Sequence, residues 1–261
     1  MPRIKLILSY DGTDFCGWQK QKDHAQASEL PSLQETIELA LEKIFRHKIS
    51  LSASGRTDAG VHAVAQIAHF DTDRPMPQDL SWALRAHLPA SIVVKNAFIA
   101  PDEFHSTISA EKKTYRYWIW NRPRPTALLA RYSWWIRQSL DLNQLNECAK
   151  YLISKQDFES FRSAGTAVNH TIREIYSARW TERKPGLVQF EVTGSGFLKQ
   201  MVRNMVGTQI EFALKKQPAF RMVEVLEAKD RKKAGPAAPA QGLFLYKVYY
   251  PKALDNKCRR I

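Results

Sequence analysis

Hydrophobic positions along this chain fall into two alternating rhythms. Residues 4–10, IKLILSY, form an apolar run of strand length, and SLQETIELALEKIF (32–45) then sets Leu33, Ile37, Leu41 and Ile44 on one helical face. Ser32, with Glu35 three residues on, makes a capping-box start for that helix. ISLSAS (49–54) and AVAQIAHF (63–70) predict two strands joined by a turn-rich connection. QDLSWALRAHL (78–88) returns to helical spacing through Leu80, Ala83, Leu84 and Leu88, and SIVVKNAFIA (91–100) is β-branched. The predicted order is β-α-β-β-α-β.

That order recurs. TYRYWIW (114–120) predicts a strand, DLNQLNECAKYLIS (141–154) a helix, and TIREIYSARW (171–180) with LVQFEVTGS (187–195) a strand pair around a Lys184-Pro185-Gly186 turn. FLKQMVRNMVGTQIEFAL (197–214) and PAFRMVEVLEA (218–228) are helical, and LFLYKVYY (243–250) closes as a strand. A split β-α-β unit of this order has ferredoxin-like topology, with helices on one sheet face. The expectation is an α+β protein of two ferredoxin-like domains, residues 1–105 and 106–261, forming a mostly antiparallel sheet with a central active-site cleft. A free sheet face suits RNA, although architecture alone assigns no function. DRKKAGPAAPAQG (230–242) mixes charge with Gly and Pro and reads as a solvated loop.

Composition narrows the function classes. At 261 residues the chain exceeds the usual single-domain size. Its 44% hydrophobic and 11% aromatic content excludes disorder, and no apolar run approaches the ~20 residues a membrane span needs. The start, MPRIKLILSYDG, is broken by Lys5 and followed by Asp11 instead of a small-residue cleavage site, so it reads as a first strand and not a signal peptide, and the cytoplasm is the expected compartment. Cys16, Cys148 and Cys258 are odd in number and far apart, and the histidines lack ligand spacing, so no disulfide, metal or cofactor is expected. The formal charge of +13 points to a polyanionic partner, since Lys and Arg release counterions from phosphates. Nucleic acid fits better than a membrane surface, because no basic amphipathic helix stands out.

The candidate chemistry lies in SGRTDAGVHA (54–63), the turn-rich connection between two predicted strands. Taken alone, Asp58 there is an Asx-turn former and Arg56 a solvated cation. As a unit, the string resembles the catalytic loop of the TruA family of tRNA pseudouridine synthases. YDGTDFCGWQ (10–19), KTYRYWIWN (113–121), DFESFR (157–162), FLKQMVRNMVG (197–207) and AKDRKKAGPAAPAQGLFL (228–245) resemble further segments of that family, in order and over nearly the whole chain.

The resemblance implies an isomerase that converts uridine to pseudouridine at tRNA positions 38, 39 and 40 in the anticodon arm. It also implies a homodimer that needs no cofactor or metal. Asp58 would be the catalytic carboxylate and Arg203 the cation that keeps it ionised, in accord with the tendency of a buried carboxylate to protonate when no opposite charge is near. Arg56 would fill the space left by the flipped nucleotide, Tyr115 would stack on the uracil, and Leu243 would pack against the site. Phe104, His105, Lys113 and Arg116 are further RNA-contact candidates. Where the family usually reads Ala-Arg-Phe after Phe104-His105, this chain has Ser106-Thr107-Ile108. Thr107 thus stands in place of a basic residue, and Lys112, Lys113 and Arg116 are compensating candidates. Bland alternatives stay open at each position: a half-buried strand aromatic for Tyr115, a helix-surface arginine for Arg203, core packing for Leu243. At the level of the protein, the alternatives are a non-catalytic RNA-binding protein and a pseudouridine synthase with other target uridines.

Overall fold

The structure is a computed structural model that describes residues 1–20, 29–165 and 168–261. It is mixed α/β, with eleven strands and six α-helices among the described residues, and the chain divides into two compact units. The first comprises Met1–Glu111 and Leu245–Ile261, and the second Lys112–Phe244.

In the first unit the elements run β1 (Arg3–Tyr10), α1 (Leu33–Phe45), β2 (Ser52–Ala53), β3 (His62–Asp71), α2 (Leu80–Arg85) and β4 (Ile92–Ala100). The chain returns to it with most of β10 (Leu243–Tyr249), then α6 (Lys252–Asp255) and β11 (Arg259–Arg260). Its strand order is β11-β4-β1-β3-β10, with β2 on β3. β1 lies antiparallel to both neighbours, with Leu6 opposite Ala68 on one side and Ala97 on the other. Alternation on β1 sends Ile4, Leu6 and Leu8 fully inside, and α1 buries Leu33, Ile37 and Leu41. Each such side chain contributes on the order of 1.5–3 kcal/mol by leaving water. The Ser32 hydroxyl accepts from the Glu35 N–H at 3.2 Å, which fixes where α1 begins.

The second unit contains β5 (Lys112–Asn121), β6 (Trp134–Ile136), α3 (Leu142–Lys150), β7 (Lys155–Asp157), β8 (Ile172–Lys184), β9 (Leu187–Gly194), α4 (Met201–Leu214) and α5 (Arg221–Ala228). Its antiparallel order is β5-β9-β8-β7, and β6 runs parallel to β5. Trp180 and Phe190 pack at 4.9 Å in its core, and the Trp180 indole N–H donates to Gln209 Oε1 at 2.9 Å, so a large buried ring leaves no polar atom unpaired.

The strand and helix order agrees with the pattern of hydrophobic spacing, while several ends move. α4 starts at Met201, not at residue 197, because Gln200 sits at φ 58, outside helical geometry. α2 begins after Asp79, whose carboxylate caps the Trp82 N–H at 2.9 Å. The expected strand at 49–54 shrinks to Ser52–Ala53, the pair opposite His69 and Ala68. β6, β7, α6 and β11 are too short for a periodic signal. The boundary expected between residues 105 and 106 is also corrected: residues 106–111 and 245–261 belong to the first unit. Tyr250 donates its hydroxyl to Ser106 O at 2.6 Å, Arg259 and Arg260 pair with Ile99 and Phe98, and the Ile261 N–H reaches Ala97 O. The sheet that a late strand joins is a long-range choice that local spacing does not encode.

Candidate active site

The Asp58 loop is held from beneath by buried polar groups. Gln66, fully buried on β3, accepts from the Ser54 hydroxyl at 2.7 Å and donates to Gly55 O at 2.8 Å, with the Tyr10 hydroxyl 3.4 Å from its amide nitrogen. Tyr10 and Thr57 share a hydrogen bond of 2.9 Å. Burial pushes the Tyr10 phenol up to about 12, against the pull of its bonds to Thr57 and Gln66, so it stays neutral.

A second segment clamps the loop from the side. Gly17 and Asp58 form an antiparallel bridge, and the Trp18 N–H donates to Thr57 O at 2.9 Å. Gly17 stands at φ +111, and a Cβ there would lie 2.8 Å from Thr57 O, so only glycine allows this approach. The Val61 N–H closes the turn onto Asp58 O at 3.1 Å, and the Gly12 N–H donates to His62 Nδ1 at 3.1 Å. With its backbone tied at both ends, Asp58 is half-buried and Arg56, two residues earlier, is exposed. The segments 10–19 and 54–63 thus form one structure, a rigid mount that presents a carboxylate and a guanidinium.

In the second unit, Tyr115 on β5 is buried and meets Phe197 edge-on, 4.9 Å between ring centres at 76°. Half-buried Arg203 on α4 donates through Nε to Ala238 O at 2.7 Å, while the Ala238 N–H donates to Arg203 O at 3.0 Å. The stretch 230–242 is correspondingly not a solvated connection. Arg231 donates to Asn204 Oδ1 at 2.9 Å and to Gly235 O at 2.9 Å, and the Gly235 N–H donates to the Thr208 hydroxyl at 2.9 Å. Gly207 lets this loop touch the helix, since a Cβ there would fall 1.7 Å from Pro236 O. The loop ends at Gly242, which lies against the Tyr117 ring, and passes into buried Leu243. The Tyr117 hydroxyl donates to Pro239 O at 2.8 Å, and burial raises that phenol well above its ordinary range. The second unit therefore gathers Tyr115 with Phe197, and Arg203 with the 230–242 loop.

The profile of one protein family, described as tRNA pseudouridine synthase, matches residues 6–107 and 148–251. The chain belongs to the tRNA pseudouridine synthase family. It is 56% identical over 260 residues, 98% of each chain, to tRNA pseudouridine synthase A of Bdellovibrio bacteriovorus. It is 41% identical over 251 residues to the protein of that name from Bacillus subtilis, covering 95% of this chain and 99% of the relative. The protein of that name from Acetivibrio thermocellus is 39% identical over 251 residues, 96% of this chain and all of the relative.

For a pseudouridine synthase, the remaining candidates separate by exposure. Phe104 is fully buried, 5.0 Å from the Tyr250 ring and 5.0 Å from Lys5 Nζ, so its expected role as an RNA contact gives way to packing inside the first unit. His105 is half-buried and turns Nδ1 to the N–H groups of Thr107 and Ile108, each at 3.2 Å. Thr107 is exposed and donates its hydroxyl to Ala53 O at 2.7 Å, next to the Asp58 loop. Arg116 pairs with Glu191 at 2.6 Å across β5 and β9. Burial pushes the Lys113 ammonium down to about 8. Sequence reasoning missed Gln66, Tyr10 and Asn204 as the groups that hold the site's loops. A signal for Gln66 was present: it is the lone amide in the run AVAQIAHF, which is apolar apart from it and His69.

Among the described residues, no helix is long and apolar enough to cross a membrane, and no group of three or more His, Cys, Asp or Glu side chains converges as a metal site would require.

Proposed function

We propose that this enzyme isomerises uridine to pseudouridine at tRNA positions 38, 39 and 40, in the anticodon arm. The C1′–N1 bond breaks, the uracil turns, C5 bonds to C1′, and the proton lost from C5 is balanced by one gained at N1. Atoms are conserved, so the reaction itself consumes no co-reactant. Asp58 is the catalytic carboxylate, Tyr115 stacks on the base and serves its deprotonation, Arg203 supplies the opposing charge in the site, Arg56 takes the place of the flipped nucleotide, and Leu243 gives an apolar wall. The observation that supports this most is the double anchoring of the Asp58 loop, by the Gly17 bridge and by the Gln66–Tyr10–Thr57 bonds. A nucleophile or base must be held within a fraction of an ångström, whereas an ordinary turn aspartate needs no such scaffold.

Lys113 and Arg116 on β5 are RNA contacts in this reading. The strand order β4-β1-β3-β2 in the first unit supports a ferredoxin-like topology, and the family resemblance supports a homodimer working in the cytoplasm. Tritium release from tRNA carrying [5-³H]uridine tests the chemistry. Wild-type protein releases tritium, whereas Asp58→Asn releases none and keeps tRNA affinity within about tenfold, about 1.4 kcal/mol. Turnover by Asp58→Asn close to wild type would remove Asp58 from the mechanism. Transcripts with uridine at only one of positions 38, 39 and 40, mapped by carbodiimide-dependent primer extension, test the target; modification in another arm overturns it.

A further inference from the structure

The segment Asn121–Arg137, which leaves the far end of β5 from Tyr115, has no part in the site described above. It carries Arg122, Arg124, Arg131 and Arg137, all exposed, and no Asp or Glu occurs from 121 to 140. Nor does any carboxylate among the described residues pair with Arg122, Arg124 or Arg137. Left to itself a charge run of this kind is a mobile loop, yet this one is pinned. The Trp135 indole donates to Arg122 O at 2.9 Å, and the Trp120 indole to Arg124 O at 3.0 Å. Asn121 donates to Ile136 O at 2.9 Å and to Gln138 O at 2.6 Å, which ties the two ends of the arm together. Pro123 and Pro125 stiffen the stretch between. The Arg122 side chain lies against Gly186, in the turn between β8 and β9 that also exposes Lys184, and in that turn Glu182 accepts from the Gly186 N–H at 2.6 Å through one oxygen.

We propose that this arm is a second tRNA-binding surface that grips the sugar-phosphate backbone away from the reacting uridine. The proposal rests on tRNA being the substrate. Three features carry it: exposed arginines on a backbone held in place, no carboxylate within the arm, and a position six residues along β5 from Tyr115, ~20 Å at ~3.3 Å per residue. That distance is too great for contact with a base at Tyr115 and suits phosphates further along the same stem. Guanidiniums on a fixed backbone lose less entropy on binding than those on a mobile one. The exposed Leu128 (87%) and Trp135 (43%) raise the alternative of a second copy of the chain. A two-fold contact centred on the arm would set arginines against arginines, with no acid in the arm to relieve the repulsion.

The test is the salt dependence of tRNA binding by the full chain and by Arg122→Ala/Arg124→Ala, with Arg122→Lys/Arg124→Lys as the charge-preserving partner. The alanine pair is expected to weaken affinity on the order of tenfold per guanidinium. The slope of log K against log[salt] should become shallower by roughly 0.7–0.9 for each phosphate no longer neutralised. Turnover should fall through KM, with the lysine pair intermediate. An unaltered slope and KM in alanine variants that melt like wild type would overturn the proposal. So would a change in oligomeric mass with the slope unaltered, which would assign the arm to a protein contact. Absence of tritium release from the wild-type protein would instead strike the proposed reaction, a result separate from the slope.

Discussion

Asp58 illustrates how a short polar side chain becomes a catalytic candidate only through its neighbours. Its loop is fixed by Gly17, Thr57, Gln66 and Tyr10, so the carboxylate is presented and not merely present. Tyr115 is tested by separating ring from hydroxyl. Tyr115→Phe keeps the edge-on packing with Phe197 and is expected to retain tRNA affinity while pseudouridine formation falls by about 10²–10⁴-fold, as removal of an acid–base group does. Tyr115→Leu should also forfeit roughly 1–3 kcal/mol of base stacking. Equal, wild-type turnover in both would make the tyrosine structural. Lys113 gives a pH signature. Because its ammonium titrates near 8, its charge is present at pH ~7 and gone by pH ~9. The tRNA affinity of wild type should therefore fall across that window, and Lys113→Met should be weaker at the lower pH and lack that step. A profile unchanged in the variant would exclude Lys113 from RNA contact.

At the scale of elements, α4 and the 230–242 loop behave as one piece. Their packing depends on Gly207 passing beneath the Pro236 carbonyl, and on Arg231, Asn204 and Thr208 closing the polar groups between them. Gly207→Ala adds helix propensity of about 1 kcal/mol, but its methyl group would occupy the space of a carbonyl 1.7 Å away. The steric cost wins, because backbone on both sides must move. The variant should melt several degrees lower, and trypsin should cut after Arg231, Lys232 or Lys233 more rapidly. A higher melting temperature with no new cleavage would show that the loop is not seated on the helix.

For the whole molecule, the charge of +13 favours a polyanionic partner, while a few buried groups set how it responds to acid. His69 is the clearest of these. Burial first, then the neighbouring His105 and the Arg3 guanidinium, push its imidazole down to about 4, with Asp71 opposing. Between about pH 6.5 and 4 the unfolded chain therefore binds a proton at this position that the folded chain refuses, so stability rises with pH across that window and is lost as pH falls through it. The loss reaches about 3 kcal/mol at the lower end by the usual conversion of pKa shift to free energy. The melting temperature should fall on acidification from about pH 7 to about pH 4.5, and His69→Gln should flatten part of that fall. Equal slopes in both proteins would show that His69 is not the group responsible.

Much of this protein was legible along the chain. Period-two and period-3.6 spacing located most of the longer strands and helices because each buries one face, and that requirement is written locally at every second or every third to fourth residue. The segments that carry Asp58, Tyr115 and Arg203 were legible as motifs, and the roles proposed for those residues rest on that resemblance and on the anchoring of the Asp58 loop. Tertiary structure alone decided the rest. It placed the C-terminal strand and tail with the first unit, through pairings such as Arg259 with Ile99 that span long stretches of chain. It turned Phe104 inward, and it converted the Gly- and Pro-rich stretch 230–242 from solvated loop to the partner of α4. These outcomes depend on which distant groups satisfy a buried carbonyl or fill a core, and no local spacing carries that information.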